Sequence, residues 1–202
     1  MYKVPMPHIL SVSCPDCGQH ADFTFSVANR VDRKYRPYFE RSKSFKTEVQ
    51  NTSHGRAYLA WYDFGLARKS LDVINDLPEG FEPSDFGHSQ YYSRHGRSRG
   101  VIVCSHCGFR RLHKISWPRD AYFKIEHNGN ELWAFNREMG LLILNYLKDP
   151  ARKKRIYGYT EHKGRRSEII SQHSWLRKLP TVFQTKKVAP KVIAKLEKSL
   201  GV

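Results

Sequence analysis

Cys14-Pro15-Asp16-Cys17-Gly18 and Cys104-Ser105-His106-Cys107-Gly108 hold all four cysteines of the chain. In each stretch two residues separate the thiols, so one tight turn aims both sulfurs at a single point. The glycine after the second thiol accepts the positive φ that such a turn needs. Two turns of this kind make one tetrahedral site of four sulfurs. A redox dithiol comes singly beside a strand and a helix, whereas two CxxCG units with no cysteine left over match a structural zinc site. The expected cofactor is one structural Zn2+ on Cys14, Cys17, Cys104 and Cys107, although four sulfurs also suit iron or an iron–sulfur centre. Two disulfides would need an oxidising compartment, and Met1-Tyr2-Lys3-Val4-Pro5 lacks the apolar run of a signal peptide.

The sequence on either side of each pair reads as strand. His8-Ile9-Leu10-Ser11-Val12 leads into the first pair, and Ala21 to Val27 leaves it with Phe23, Phe25 and Val27 at every second position. Gly100-Val101-Ile102-Val103 and Leu112 to Trp117 flank the second pair in the same way. Each CxxC therefore sits at the tip of a strand pair. These paired CPxCG and CxxCG turns resemble the zinc-ribbon superfamily, which includes transcription factors, polymerase subunits and ribosomal proteins. The resemblance covers the two turns and their flanking strands, and it implies a metal-stapled hairpin fold whose members bind DNA, RNA or protein. One departure stands out: ribbons separate their turns by a short span, and here 86 residues lie between Cys17 and Cys104. Either a subdomain is inserted into the ribbon, or the two turns close a different fold.

The expected class is α+β, a split zinc ribbon with an insertion and a basic helical end. Residues 1–30 form the first half of the ribbon, 31–92 the insertion, 93–135 the second half with an adjoining hairpin, and 136–202 the helical region. Arg56 to Phe64 is ambiguous between strand and helix, and Ala67 to Asp76 reads as a helix ended by Pro78 and Gly80. Asn128-Gly129 between two apolar-rich runs is a strong hairpin signal, and the hairpin is expected to extend the ribbon sheet. Asn136 caps a helix with Met139, Leu142, Ile143, Tyr146 and Leu147 on one face, which Asp149-Pro150 stops. A further helix is expected from Ser167 with Ile169, Ile170, His173 and Leu176 inward. The last starts at Pro190, buries Val192, Ile193, Leu196 and Leu200, and turns Lys191, Lys195 and Lys198 to solvent.

Charge speaks to partners. The 202 residues carry a formal net charge of +16, with a sequence pI near 9.8, so polyanions are the natural partners. Residues 1–46 net +4, 47–92 net −4, 93–147 net +5 and 148–202 net +11, which places the excess at the C-terminal end. No apolar run approaches the roughly 20 residues that span a bilayer, so no membrane partner is expected. Reduced thiols and no export signal point to the cytoplasm, nucleoid or nucleus.

The expected nucleic-acid contacts are Arg94, Arg97, Arg99, Arg110 and Arg111 beside the second pair of thiols. Lys153, Lys154, Arg155, Arg165 and Arg166 are expected to add contacts from the C-terminal region. Cations between Arg30 and Lys46 alternate with Tyr35, Tyr38, Phe39 and Phe45, a pattern that suits either base stacking or a loop whose rings pack inward. The leading expectation is a non-catalytic, zinc-stabilised protein that binds DNA or RNA without strong sequence preference, as part of a nucleic-acid-processing assembly. One alternative is a metal-dependent nuclease using His54, His88, His95, His113 and Asp85, for which neither a His-Asn-His pattern nor paired carboxylates are present. The other is an interaction subunit that docks into a larger protein complex through Trp133 and the apolar helix.

Overall fold

The structure, a computed structural model, describes residues 7–52, 55–67, 77–89, 98–149 and 174–202. It divides into two compact units, one spanning His8–Asp120 and the other built on Ala121–Val202. Helices and antiparallel sheets share the chain, as the α+β expectation requires.

The first unit holds two four-stranded antiparallel sheets. β1 (Ile9–Ser13) and β2 (His20–Phe25) form one hairpin, and β7 (Arg99–Val103) and β8 (Arg110–Lys114) form another. β2 pairs with β7 from Asp22↔Val103 to Phe25↔Gly100, which fuses the hairpins into one sheet of order β1-β2-β7-β8. Alternation drives this arrangement: Ala21, Phe23 and Phe25 are buried along β2 while Asp22 is exposed, and Leu10, Val12, Val101 and Ile102 complete the apolar layer. The seam is close-fitting at Gly100. A Cβ there would lie 2.3 Å from Phe23 Cζ and 2.4 Å from the Thr24 carbonyl oxygen. Gly100→Ala is therefore expected to cost about 1–3 kcal/mol as an overpacked site, measured by denaturant unfolding; an unchanged midpoint would show that the seam yields.

The long span between the thiol pairs supplies the second sheet. β3 (Val27–Arg30), β4 (Phe45–Thr52), β5 (Gly55–Tyr62) and the two-residue β6 (Gly87–His88) run in the order β4-β5-β3-β6. The ambiguous segment around Tyr58 is thus a strand, buried from Ala57 to Tyr62 and rich in aromatic residues. α1 (Arg36–Arg41) and α2 (Phe64–Ala67) are short. Phe39 and Phe45 are buried with Val27, Val31, Tyr58, Ala60, Tyr62 and Phe86, and Tyr35 and Tyr38 pack against that cluster. The aromatics of the basic 30–46 stretch are therefore core, and Lys34 and Arg36 lie over the Tyr35 and Tyr58 rings at 4.5 and 4.7 Å. The rest of the predicted 67–76 helix lies outside the described residues.

The second unit holds the Asn-Gly hairpin and the helices that follow it. β9 (Phe123–His127) and β10 (Asn130–Ala134) do form the Asn-Gly hairpin, with Asn128 at φ 49° and Gly129 at φ 71°. They make a separate two-stranded sheet and do not extend the thiol-bearing one. Their inward residues, Phe123, Ile125, Leu132 and Ala134, are buried, and the hairpin packs with the helices of its own unit. α3 (Arg137–Lys148) is capped as expected, the Met139 amide donating to Asn136 Oδ1 at 2.9 Å. α4 (Ala189–Leu200) buries Val192, Leu196 and Leu200 and packs on α3. Lys148 pairs with Glu197 at 2.6 Å, and Arg137 donates to the Leu200 carbonyl at the end of α4. Of the helix expected from Ser167, residues up to His173 lie outside the described residues; Leu176 is buried in a short 3-10 segment, Ser174–Lys178.

Candidate metal centre

The two thiol turns are built alike, bond for bond. Cys14 N–H donates to the Gln19 carbonyl at 2.8 Å, and Gly18 N–H to the Cys14 carbonyl at 2.9 Å. In the second turn Cys104 N–H donates to Phe109 at 2.8 Å, and Gly108 N–H to Cys104 at 3.0 Å. Gly18 and Gly108 have φ of 70° and 75°, the left-handed conformation that lets the chain double back after the second cysteine. Because β2 pairs with β7, the tips of both hairpins come to the same end of one sheet.

There the four sulfurs converge. All lie within 4.8 Å of one another, with Cys14 Sγ 3.6 Å from Cys107 Sγ and Cys17 Sγ 3.7 Å from Cys104 Sγ. Each of these two pairs joins one turn to the other. Metal–sulfur bonds of about 2.3 Å at a tetrahedral centre set the sulfurs about 3.8 Å apart, so the spacing fits a single ion. The thiols are free of disulfide bonds. Cys14 and Cys104 are buried, Cys17 is half-buried and Cys107 is exposed, which leaves the centre open to solvent on one side.

Protonation follows the same geometry. The Cys107 backbone N–H, chief among several donors, pulls Cys104 down to about 7 against the cost of desolvation. The Phe109 amide lowers Cys107, but lost hydration and the thiols of Cys17, Cys14 and Cys104 outweigh it and push it up to about 12. Cys17 is likewise raised, the help of the Gln19 amide being overcome by desolvation and neighbouring thiols. Four negative sulfurs this close need a cation among them. Among the described residues these cysteines are the one group of three or more His, Cys, Asp or Glu side chains placed to hold a metal ion.

A brace lies behind the centre that the sequence did not reveal. The Asp120 carboxylate takes His113 Nε2 of β8 at 2.7 Å and the Ser116 N–H at 2.8 Å, while its backbone carbonyl accepts from Ser13 N–H of β1 at 3.0 Å. Asp120 thus ties the two outer strands together, next to Cys14. Burial raises its pKa, but the His113 hydrogen bond and the Ser116 amide overcome that and hold it below the ordinary carboxylate range. Aspartate and histidine seven residues apart carry no pattern that separates such a pair from solvated side chains.

The predicted contact residues divide three ways. Arg110 and Arg111 are exposed on β8, where Lys114 joins them, and the Arg111 guanidinium lies over the Phe109 ring at 5.6 Å. Arg99 is turned to a different use. Its Nη2 lies 2.8 Å from Asp63 Oδ2, its Nε donates to Asp63 Oδ1 at 3.1 Å, and it stacks over Trp61 at 5.0 Å, with Glu48 at 3.7 Å. Arg99 is thus held in an internal ion pair and is largely buried, unlike Arg110 and Arg111. Arg94, Arg97, Lys153, Lys154, Arg155, Arg165 and Arg166 lie outside the described residues.

Among the described residues, the histidines and the aspartate considered for a nuclease form no common cluster. His88 packs against Phe25 and faces His8; burial first, and then the neighbouring imidazole, lower its pKa. Asp85 caps a 3-10 turn through the Glu82 amide, His113 is engaged by Asp120, and His54 and His95 lie outside the described residues. Among the described residues no helix is long and apolar enough to cross a membrane. In comparisons with known proteins, no family model, no curated protein and no solved structure matches the chain.

Proposed function

We propose that this protein is a zinc-stabilised nucleic-acid-binding protein, in which a ribbon of two CxxCG hairpins is the rigid frame and the cations around it neutralise phosphates. The observation that carries the zinc assignment is the pair of sulfur spacings, 3.6 and 3.7 Å, across two identical turns. Zinc suits this donor set, being a borderline-soft d¹⁰ ion that takes four thiolates in a closed tetrahedron and supplies folding energy without redox chemistry. Cys14, Cys17, Cys104 and Cys107 are its ligands, and no ligand position is left for a reacting water, so the metal's role is structural.

The nucleic-acid reading rests on the net charge of +16 and on β8, which turns Arg110, Arg111 and Lys114 to solvent directly after the second thiol pair. α4 adds Lys191, Lys195 and Lys198, exposed on the helix of the other unit. Phosphate contacts of this kind position a strand without reading bases, so the expected binding is weakly sequence-dependent and strongly salt-dependent. The test is binding of the zinc-loaded protein to labelled single-stranded DNA, duplex DNA and RNA over a salt series. Replacing Arg110, Arg111 and Lys114 together by alanine is expected to weaken binding on every sequence alike. It should reduce the steepness of log K against log salt by about 1 for each phosphate no longer neutralised. No binding by the folded, metal-loaded protein at low salt sinks the proposal and turns the cationic surface into a docking face for an acidic protein.

A further inference from the structure

The four sulfurs of the metal centre are alike in spacing and unlike in surroundings. Cys14 and Cys104 are buried, Cys17 is half-buried and Cys107 is exposed. Ser105, His106 and Gly108 are exposed with Cys107, so the second turn stands open along its whole outer side. A solute arriving from water therefore meets Cys107 first.

Hydrogen bonding and charge favour the same sulfur. Cys104 accepts from two backbone amides, those of Cys107 and His106, and each N–H drawn to a sulfur takes electron density from it and weakens it as a nucleophile. The described residues give Cys107 one such amide, that of Phe109. Along the chain Cys107 is followed by the exposed cations Arg110 and Arg111, whereas the charged residue beside Cys17 is the exposed Asp16. Cations near a thiolate steady the negative charge that departs when an oxidant is reduced, and a carboxylate opposes it.

From this asymmetry we infer that Cys107 is the site at which hydroperoxides oxidise the metal centre, and that the product is a disulfide to Cys14, whose sulfur stands 3.6 Å away in the other turn. The inference rests on the metal reading above and not on nucleic-acid binding. The Cys107 thiolate attacks one oxygen of the hydroperoxide, the O–O bond breaks, and the other oxygen leaves with the electron pair and takes up a proton. Cys107 is then a sulfenic acid. The Cys14 thiolate attacks its sulfur, the S–O bond breaks, and hydroxide leaves and is protonated. Two thiolates, one hydrogen peroxide and two protons thus give one disulfide and two waters; the sulfurs lose two electrons and the peroxide gains them. Cys17 and Cys104 remain, and two sulfurs do not make the closed shell of four that holds a structural ion.

Cys17 and Cys104, 3.7 Å apart, can be joined in the same way by a second equivalent. Both close pairs link one turn to the other, so oxidation exchanges the ion for covalent links between the same two hairpin tips. Cys14 and Cys107 are 93 positions apart, and a cross-link closing so long a loop strongly restricts the unfolded chain. The oxidised sheet is therefore expected to lose its metal and stay folded, whereas the reduced sheet unfolds when its metal is removed.

The test is hydrogen peroxide added to the full-length, zinc-loaded chain, with released zinc read by a chromophoric chelator and the sulfurs by mass spectrometry. Release of the ion, a first disulfide between Cys14 and Cys107, a retained β signal in circular dichroism and renewed zinc binding after a thiol reductant are expected. Dimedone, which traps sulfenic acids, should label Cys107 ahead of the other three cysteines, a readout that needs no variant. Cys107→His keeps a fourth ligand without the thiolate. It is expected to slow release about tenfold, because susceptibility follows thiolate character and exposure, while Cys17→His should release zinc at close to the wild-type rate. Zinc content shows that each variant is loaded before peroxide is added. A loaded wild type that keeps its zinc under peroxide overturns the inference alone. So does labelling that begins at another cysteine, a first disulfide within one turn, or a loaded Cys107→His protein that releases zinc as fast as wild type. A purified chain that binds no zinc overturns the metal reading, and the inference with it.

Discussion

Removing the metal is expected to unfold the sheet that carries the four thiols. Chelation at neutral pH should abolish its far-ultraviolet β signal cooperatively, and Cys104→Ser should do the same without a chelator. The scale of the effect follows from linkage: structural zinc contributes apparent binding energies of about 10–16 kcal/mol in small zinc-finger peptides. A domain's entire stability is about 5–15 kcal/mol, so a metal term of that size would decide whether these hairpins stay joined. Cys104 is the severest position because its sulfur is buried and opposes Cys17 at 3.7 Å, whereas Cys107 stands exposed at the rim.

Acidification should act in the same direction. Cys17 and Cys107 are raised, Cys107 to about 12, so without metal they keep their protons at pH 7. Metal must displace those protons, and affinity is therefore expected to rise about tenfold per pH unit for each proton displaced and to fall correspondingly as pH drops. Below about 7, where Cys104 also begins to protonate, the dependence steepens by a further proton. Zinc competition with a chromophoric chelator between pH 6 and 8, roughly one unit on either side of the Cys104 midpoint, reads this slope directly. A metal-free protein with an unchanged melting profile would show that the apolar layer of Phe23, Phe25, Val101 and Ile102 holds the sheet without zinc.

What was legible in the sequence follows the range of the interactions involved. The thiol turns were plain because every bond that shapes them lies within six residues, from Cys14 to Gln19 and from Cys104 to Phe109. The Asn136 cap and the Asn128-Gly129 hairpin are local in the same way. The β9–β10 hairpin does not join the expected sheet because alternation tells which face of a strand is buried and not which strand lies beside it. The aromatics between Tyr35 and Phe45 carried two readings. The structure places them in the core because β4 and β5 bring Tyr58 and Tyr62 to them, partners that lie beyond any local pattern. The ion pair of Arg99 was hidden for the same reason, since nothing in Arg97-Ser98-Arg99-Gly100 marks one arginine for an internal partner. Its partner Asp63 is 36 residues away.

That partner is the second place where a single substitution should be costly. Ser26 lies between β2 and β3, where the chain leaves the thiol-bearing sheet for the other one, and the bonds that fix this corner converge on two charged residues. Ser26 Oγ donates to Asp63 Oδ1 at 2.5 Å, Ser26 N–H and Ser89 Oγ donate to the Arg99 carbonyl at 3.1 and 2.7 Å, and Ser89 N–H donates to the Ser26 carbonyl at 2.9 Å. Asp63 is 5% exposed and grips the guanidinium with both oxygens. Asp63→Ala would strip the half-buried Arg99 guanidinium of its close partner and leave it only the more distant Glu48, and breaking such a pair from one side costs about 3–5 kcal/mol. Arg99→Met in the wild type should be nearly as damaging, because it strands the carboxylate. The double variant Asp63→Leu/Arg99→Met removes both charges and is expected to regain most of the loss, since apolar residues of similar size often replace a buried ion pair at little cost. Urea unfolding of Asp63→Leu, Arg99→Met and the double variant measures the coupling. Additive losses would mean that the pair contributes no specific interaction, and that the corner between the sheets is held by Ser26 and Ser89 through the backbone alone.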